Sequence, residues 1–196
     1  MGNKYSNKYR IPSARWQQWD YRWSGAYFIT ICSQNREHYF GNITNGKMQL
    51  SDIGIIADVL WYEIKNHAKN MELGEFVVMP NHVHLILILN GGDDNVETGH
   101  ALSLQQQQQQ QQTTQPQSIG QQRFQNIGKN SVSSIIGSYK SAVSKHAHRL
   151  GFTFEWQTRF HDHIIRDNAE YQRIVEYIQT NPQKWNYDSL FNQSTP

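Results

Sequence analysis

The sequence lacks most of the features that direct a chain out of the cytosol or into a membrane. It contains one cysteine, Cys32, so no disulfide can form within the chain, and a single thiol suits a reducing compartment. No apolar stretch approaches the roughly 18 residues that a membrane-spanning helix needs. The first ten residues lead into no apolar segment of the kind found in secretory signals. We therefore expect a soluble, cytoplasmic protein with no membrane partner.

Apolar residues are also scarce, at 37% of the 196 residues, and one segment accounts for much of the deficit. Residues 91–128 contain a run of eight glutamines at 105–112 among Gly, Asp, Thr, Pro and Ser. Such a composition cannot bury enough apolar surface to order itself. We predict a single domain over 1–196 that is interrupted by a disordered insertion at 91–128.

Acidic residues are absent from positions 1–19 and sparse over 129–166, although the net charge of the whole chain is only +2. Aromatic residues alternate with the N-terminal basic residues, and this mixture is typical of single-stranded nucleic-acid binding, in which cations pair with phosphates and rings stack on bases. A solvated basic face with the aromatic rings in the core is the alternative. The candidate DNA contacts are Arg10, Arg15, Lys140, Lys145, Arg159 and Arg166.

Hydrophobic periodicity predicts an α+β domain. Strands are expected at 27–32, 75–79 and 82–89, with a hairpin at 38–50 that turns at Asn45-Gly46. Helices are expected at 52–66, 131–150 and 168–180. The first should begin at Ser51 or Asp52, and the last should end at Asn181-Pro182. The apolar stripes predicted for the first two helices are Ile55, Ile56, Val59, Leu60 and Ile64, then Ile135, Ile136, Tyr139, Val143 and Ala147.

His82-Val83-His84 is the most informative triplet. Residues i and i+2 of a strand point to the same face, so two imidazoles converge within a strongly apolar strand. A divalent cation is the commonest reason for such a pair, and histidines hydrogen-bonded within the core are the alternative. The pairs His146/His148 and His161/His163 are weaker candidates, for which we favour structural or DNA-facing roles.

Tyr177 and Asn181 lie four residues apart on the last predicted helix and therefore share a face. A phenol can attack phosphorus, and an amide oxygen one turn away can complete a cation site. Without the histidines, a packing tyrosine would be the preferred interpretation. Tyr139 and Tyr171 are rival nucleophiles, but Tyr139 lies on an apolar helix stripe and Tyr171 is about 120° away from Tyr177 around the helix.

These motifs resemble one protein family. The segment 78–85, Val-Met-Pro-Asn-His-Val-His-Leu, is similar to the His-hydrophobe-His motif of HUH endonucleases in the form used by single-tyrosine, IS200-like transposases. Further segments resemble the REP-associated tyrosine transposases and cover nearly all of the chain outside 91–128. They are 27–36 with Phe40-Gly41, 136–141, 156–160, 163–166, and 177–182 with Trp185.

The resemblance implies a ferredoxin-like sandwich, with a central antiparallel sheet, helices on one side and the catalytic helix beside the histidine-bearing strand. It implies that His82, His84 and Asn181 hold Mg²⁺ or Mn²⁺, and that Tyr177 forms a 5′-phosphotyrosine with DNA. The expected partner is single-stranded or hairpin DNA with REP-like palindromes. Both a monomer and a homodimer remain open.

Two other functions compete with this interpretation. The first is a non-catalytic protein, derived from a transposase, that binds hairpin DNA or RNA. The second is a metal-dependent phosphoesterase that uses water as its nucleophile. The second would usually require a carboxylate at the site, and none adjoins His82 or His84 in the sequence.

Overall fold

The computed structural model describes residues 23–68, 70–90 and 131–191, together with two short paired strands, β1 (Lys4–Tyr5) and β2 (Lys8–Tyr9). The insertion predicted at 91–128 lies outside the described residues, as do Arg10 and Arg15. No helix in the described parts of the chain is both long and apolar enough to cross a membrane.

The remaining elements alternate between strands and helices. The strands are β3 (Gly25–Cys32), β4 (Gly41–Thr44), β5 (Lys47–Leu50), β6 (Met71–Met79), β7 (His82–Leu89) and β8 (His161–Ile165). The helices are α1 (Asp52–Glu63), α2 (Val132–Arg149) and α3 (Asn168–Thr180). Short 3₁₀ helices cover Gln34–Arg36, Ile64–Asn66 and Asn181–Tyr187.

The central sheet has the strand order β6-β7-β3-β8, and every neighbouring pair is antiparallel. With α1 between β3 and β6, and α2 between β7 and β8, the chain follows the βαββαβ order of a ferredoxin-like fold. The hairpin β4–β5 stands apart as a two-stranded sheet and turns at Asn45 and Gly46, both with positive φ, as a type I′ turn requires. The predicted α+β, ferredoxin-like class is confirmed.

Strand β3 shows how the sheet divides the molecule. Tyr27, Ile29 and Ile31 alternate toward one face and are fully buried in the main core. Helices α1 and α2 cover this face, and the Tyr139 hydroxyl donates a 2.8 Å hydrogen bond to the Ala57 carbonyl, which ties α2 to α1. All five residues of the stripe predicted for α2 are buried. This face carries the predicted layer of helices.

Helix α3 packs against the opposite face of the sheet. Ile178 forms a second apolar cluster with Ile86 of β7 and Ile165 of β8. Strand β7 is therefore covered on both faces, as its nearly continuous apolar sequence predicts. The histidines of this strand lie on the same face as α3, so the helix that carries Tyr177 crosses the sheet beside them.

One strand was not predicted, and the predicted buried face of one helix was wrong. Residues 161–165 form the edge strand β8, which the polar sequence His-Asp-His concealed. On α1, Ile55 and Val59 are 49% and 52% exposed, while Ile53, Ala57 and Trp61 are buried. Apolar residues surround much of this helix, so periodicity alone could not identify its buried face. The predicted cap was right, because the Ser51 side chain accepts a hydrogen bond from the Gly54 backbone.

Candidate active site

His82 and His84 lie side by side at the start of β7. Their ring centroids are 4.4 Å apart, and the two residues are 0% and 3% exposed. The cross-strand neighbour of His84 on β3 is Thr30, and that of His82 is Cys32. Strand β7 and its neighbour β3 thus hold the two imidazoles in one small, buried region beside α3.

The orientation of His82 is set by Asn81. The Asn81 amide nitrogen donates a 2.9 Å hydrogen bond to the Leu190 carbonyl, which leaves its oxygen 2.8 Å from Nδ1 of His82. The oxygen can only accept, so Nδ1 carries the proton and Nε2 carries the lone pair. Nε2 is buried and has no hydrogen-bond partner among the described residues. An orphaned nitrogen of this kind suits a cation ligand with an ordered supporting contact.

His84 has a hydroxyl group beside each of its ring nitrogens. Its Nδ1 lies 2.9 Å from the Thr30 hydroxyl, and its Nε2 lies 3.2 Å from the Tyr177 hydroxyl. Burial lowers the pKa of His84 to about 4, against an opposing effect of the Asp188 charge. Burial also lowers the pKa of His82 well below its ordinary value, followed by the effects of His84 and Arg36. Both rings are therefore neutral at physiological pH and offer lone pairs.

Tyr177 brings a phenol to these histidines. Its hydroxyl lies 3.2 Å from His84 Nε2 and 3.3 Å from Asp188 Oδ2, and the residue is 40% exposed. Burial raises the pKa of Tyr177 to about 12, and the Asp188 charge adds to the shift. The group is thus held as a neutral phenol in the absence of a cation.

The rival tyrosines do not reach the histidines. Tyr139 is buried between α1 and α2, on the other side of the sheet, and its pKa is raised well above the ordinary value by burial. Tyr171 packs into the apolar cluster between α3 and the sheet. Of the three tyrosines considered, Tyr177 is the one beside His84.

Asp188 is the residue that sequence reasoning missed. Its Oδ2 accepts a 2.8 Å hydrogen bond from the Asn181 amide, and its Oδ1 accepts one from the Leu190 backbone. One ligand atom from each of His82, His84 and Asp188 lies within 4.8 Å of the others, which makes a group able to hold a metal ion. No carboxylate adjoins the histidines along the sequence, but the fold brings Asp188 beside them.

Trp185 explains why the carboxylate arrives there. After Pro182, the 3₁₀ helix folds back over the site, and the buried Trp185 ring lies 5.9 Å from the His82 ring. The Phe191 ring also packs against the Trp185 ring. A tryptophan shortly after the helix-ending proline was the available signal that this segment returns to the core.

Asn181 also lies at the site, at the C-terminus of α3, and is 2% exposed. Its amide nitrogen is used by Asp188, whereas its oxygen is buried and has no hydrogen-bond partner within the described residues. The predicted amide is therefore present, and a carboxylate stands beside it. Asn181 thus contacts the His82–His84–Asp188 group through the carboxylate.

The predicted DNA contacts are less uniform. The Lys140 ammonium donates to the carbonyls of Gln157 and Thr158, at 2.7 and 3.3 Å, and so anchors that segment to α2. Burial lowers its pKa. Lys145, Arg159 and Arg166 are exposed.

Two of the histidines outside the central pair have structural contacts. His148 Nε2 lies 2.7 Å from the Phe154 carbonyl, and His163 pairs with Glu170 at 2.8 Å at the start of α3. His161 lies next to Thr30 across the β3–β8 ladder, on the histidine-bearing face. His148 and His163 thus have structural contacts, and the roles favoured for His146 and His161 stay predictions.

Comparisons with known proteins show relatives in sequence and in fold. No protein-family model matches the chain. The chain is 36% identical over 180 residues to an uncharacterized protein of Haemophilus influenzae, covering 91% of this chain and 92% of the relative. It is 24% identical over 160 residues to the REP-associated tyrosine transposase of Escherichia coli, covering 82% and 67%.

A solved structure is also similar in fold. The structure of a REP-associated tyrosine transposase bound to a REP hairpin matches with a TM-score of 0.55 and 21% identity, over 91% of this chain and 76% of that one. The chain is similar to REP-associated tyrosine transposases in sequence and in fold. The similarity in fold extends over the elements that carry His82, His84 and Tyr177, because it covers 91% of this chain.

Proposed function

We propose that the chain is a divalent-cation-dependent DNA strand transferase whose nucleophile is Tyr177. The observation that carries the proposal is the position of the phenol, 3.2 Å from a neutral imidazole nitrogen of a buried His–His–Asp group. A tyrosine that served only to pack the core would not need a phenol beside histidines and a carboxylate, but this neighbourhood of possible cation ligands would serve a nucleophile that attacks a phosphodiester held by a cation.

The donor set fits a divalent cation. His82 Nε2 and Asn181 Oδ1 are buried without partners in the described part of the chain, and Asp188 supplies a charged oxygen. A bound cation would neutralise charge on the non-bridging phosphate oxygens. Imidazole ligands favour Mn²⁺ over Mg²⁺, which prefers oxygen, and both ions remain candidates.

The protein residues then account for the covalent step. The Tyr177 oxygen bonds to phosphorus while the bond between phosphorus and the 3′-oxygen breaks, and the leaving oxygen takes a proton to become a 3′-hydroxyl. Asp188 Oδ2, 3.3 Å from the phenol, is the candidate acceptor for the phenolic proton. The product is a 5′-phosphotyrosine, which keeps the phosphodiester energy, so attack by a 3′-hydroxyl can reseal the strand without ATP.

The proposed substrate is hairpin or single-stranded DNA, because the structural relative was solved with a REP hairpin. A palindrome that folds on itself would leave unpaired nucleotides beside the stem for cleavage. Arg10, Arg15, Lys145, Arg159 and Arg166 are the proposed phosphate contacts, whereas Lys140 is reassigned to holding residues 157–158.

An assay with end-labelled hairpin DNA tests the proposal. A 5′-phosphotyrosine leaves a 3′-label on the protein and a 5′-label free, in the presence of Mn²⁺ and after denaturation. A non-catalytic binder would retain affinity and form no covalent complex. A phosphoesterase would cut the DNA and leave both labels free, so either result would refute the proposed transferase.

A further inference from the structure

An open cleft of about 560 Å³ lies beside Tyr177. Its walls are formed by Tyr177, Asn181, Lys184, Tyr187, Asp188 and Ser189. This volume falls within the roughly 300–1,000 Å³ that is common for ligand sites. Because three of these residues belong to the candidate active site, a group bound in the rest of the cleft would adjoin the reacting phosphodiester.

The 3₁₀ helix Asn181–Tyr187 forms the outer wall of the cleft. A 3₁₀ helix has three residues per turn, so side chains at i and i+3 lie one above the other. Lys184 and Tyr187 have this spacing, and both line the cleft. Trp185, between them, is buried against His82, so the helix that presents the lysine and the tyrosine is fixed to the core.

Tyr187 is 91% exposed, compared with 40% for Tyr177. Neither its side chain nor that of Lys184 makes a hydrogen bond or ring contact with another described residue. Single-stranded nucleic acid is held by exposed aromatic rings, which stack on bases, and by cations, which pair with phosphates. Tyr187 and Lys184 offer both groups beside the candidate nucleophile.

We propose that Tyr187 and Lys184 form a nucleotide subsite, in which Tyr187 stacks on the unpaired base next to the cleaved phosphodiester and Lys184 binds the neighbouring phosphate. This inference rests on the proposed function for its placement beside the reacting bond. Stacking on a ring tolerates any base, so the subsite holds an unpaired nucleotide without selecting its identity. A base-paired nucleotide would hide its face in the duplex and would be excluded.

The test measures binding without cleavage. All variants carry Tyr177→Phe and are studied in chelator by fluorescence anisotropy, with a labelled oligothymidylate of about twelve nucleotides as the probe. A second probe of the same length has abasic sugars, and so keeps every phosphate but no base. Tyr187→Ala should weaken oligothymidylate binding about tenfold and leave abasic binding unchanged, and Tyr187→Trp should restore it.

Lys184→Gln should act differently from Tyr187→Ala. It should weaken both probes equally and reduce the slope of log affinity against log salt by about 0.7, as expected for one lost phosphate contact on a single strand. Tyr62 and Lys65 provide the matched control, because they also lie three residues apart and exposed, on the helix-covered side of the sheet. Tyr62→Ala and Lys65→Gln should change neither measurement.

The outcomes separate this inference from the proposed function. Equal loss of both probes in Tyr187→Ala, unchanged binding in that variant, or no binding of oligothymidylate at all would overturn the subsite. Selective loss that Tyr187→Trp restores supports it, even if the chain with Tyr177 intact forms no covalent complex. Because Tyr187 is almost fully exposed, an unchanged melting temperature in each variant confirms that the fold is retained.

Discussion

The amide of Asn181 donates a 2.8 Å hydrogen bond to Asp188 Oδ2, and this contact joins the end of α3 to the segment that returns over the histidines. The bond uses the amide nitrogen, and the Asn181 oxygen is buried without a hydrogen-bond partner among the described residues. Asn181 thus positions Asp188. Sequence analysis predicted a role for Asn181 at the site but none for Asp188.

The first prediction concerns Asp188. Asp188→Asn keeps the shape of the side chain and removes its charge, so the affinity for Mn²⁺ should fall by about tenfold or more. Isothermal titration calorimetry of the chelator-treated protein measures this change. Asp52→Asn, on the other side of the sheet, is the matched control and should bind Mn²⁺ as the parent does. Equal affinity in Asp188→Asn would remove Asp188 from the cation site.

The second prediction concerns pH. Protons compete with a cation for imidazole, and an ordinary pair with pKa values near 6.5 would lose about a hundredfold in affinity between about pH 7.5 and 5.5. Burial lowers the pKa of His84 to about 4 and that of His82 well below its ordinary value, so both rings stay largely deprotonated over this range. Mn²⁺ affinity should therefore change by about threefold or less.

A strong pH dependence of Mn²⁺ affinity would contradict this prediction. A hundredfold loss between these two pH values would mean that the histidines titrate as exposed groups do. The buried, neutral arrangement of His82 and His84 would then be wrong. A His82→Ala, His84→Ala double variant, which should lose cation binding at both pH values, shows whether the titrated site is this one.

The third prediction separates packing from chemistry among the tyrosines. Tyr139→Phe removes a buried hydroxyl that donates to the Ala57 carbonyl and leaves that carbonyl unsatisfied. The free energy of unfolding should fall by about 1–2 kcal/mol, measured by urea denaturation. Formation of the covalent DNA complex should be retained at a temperature where the variant is folded. Loss of the complex in a folded Tyr139→Phe protein would reopen the choice of nucleophile.

The fourth prediction is drawn from the sequence and concerns the glutamine-rich insertion. Removing residues 98–122 should leave the melting temperature unchanged and the rate of hairpin-DNA cleavage within about twofold of that of the full chain, because long polar loops cost little closure entropy. Differential scanning calorimetry and the end-labelled cleavage assay measure both. A large fall in melting temperature would show that the insertion packs against the domain.

The residues that sequence could locate were those whose relationship is local. His82 and His84 share a face because strands alternate, and Tyr177 and Asn181 share one because helices repeat every 3.6 residues. Strand β8 and Asp188 were missed because their positions follow from long-range packing: β8 pairs with β3, and Asp188 is carried to the site by Trp185. No local pattern encodes such contacts.

Lys140 also shows that long-range contacts cannot be predicted from local sequence. Its basic neighbourhood in the sequence predicted a DNA contact, and its ammonium instead donates to two carbonyls of the segment after Trp156. Composition indicates which charged side chains are present but not which of them make contacts within the protein. The exposed cations Lys145, Arg159 and Arg166 stay predicted DNA contacts.

The central claim is that Tyr177 becomes covalently joined to DNA, and peptide mapping of the covalent complex by mass spectrometry tests it most directly. After incubation with hairpin DNA and Mn²⁺, nuclease and protease digestion should leave a nucleotide on the peptide that contains Tyr177 and on no other. Tyr177→Phe should yield no modified peptide, while Tyr171→Phe should yield the same one as the parent. A nucleotide on the peptide of Tyr139 or Tyr171, or adduct formation that persists in Tyr177→Phe, would contradict the account.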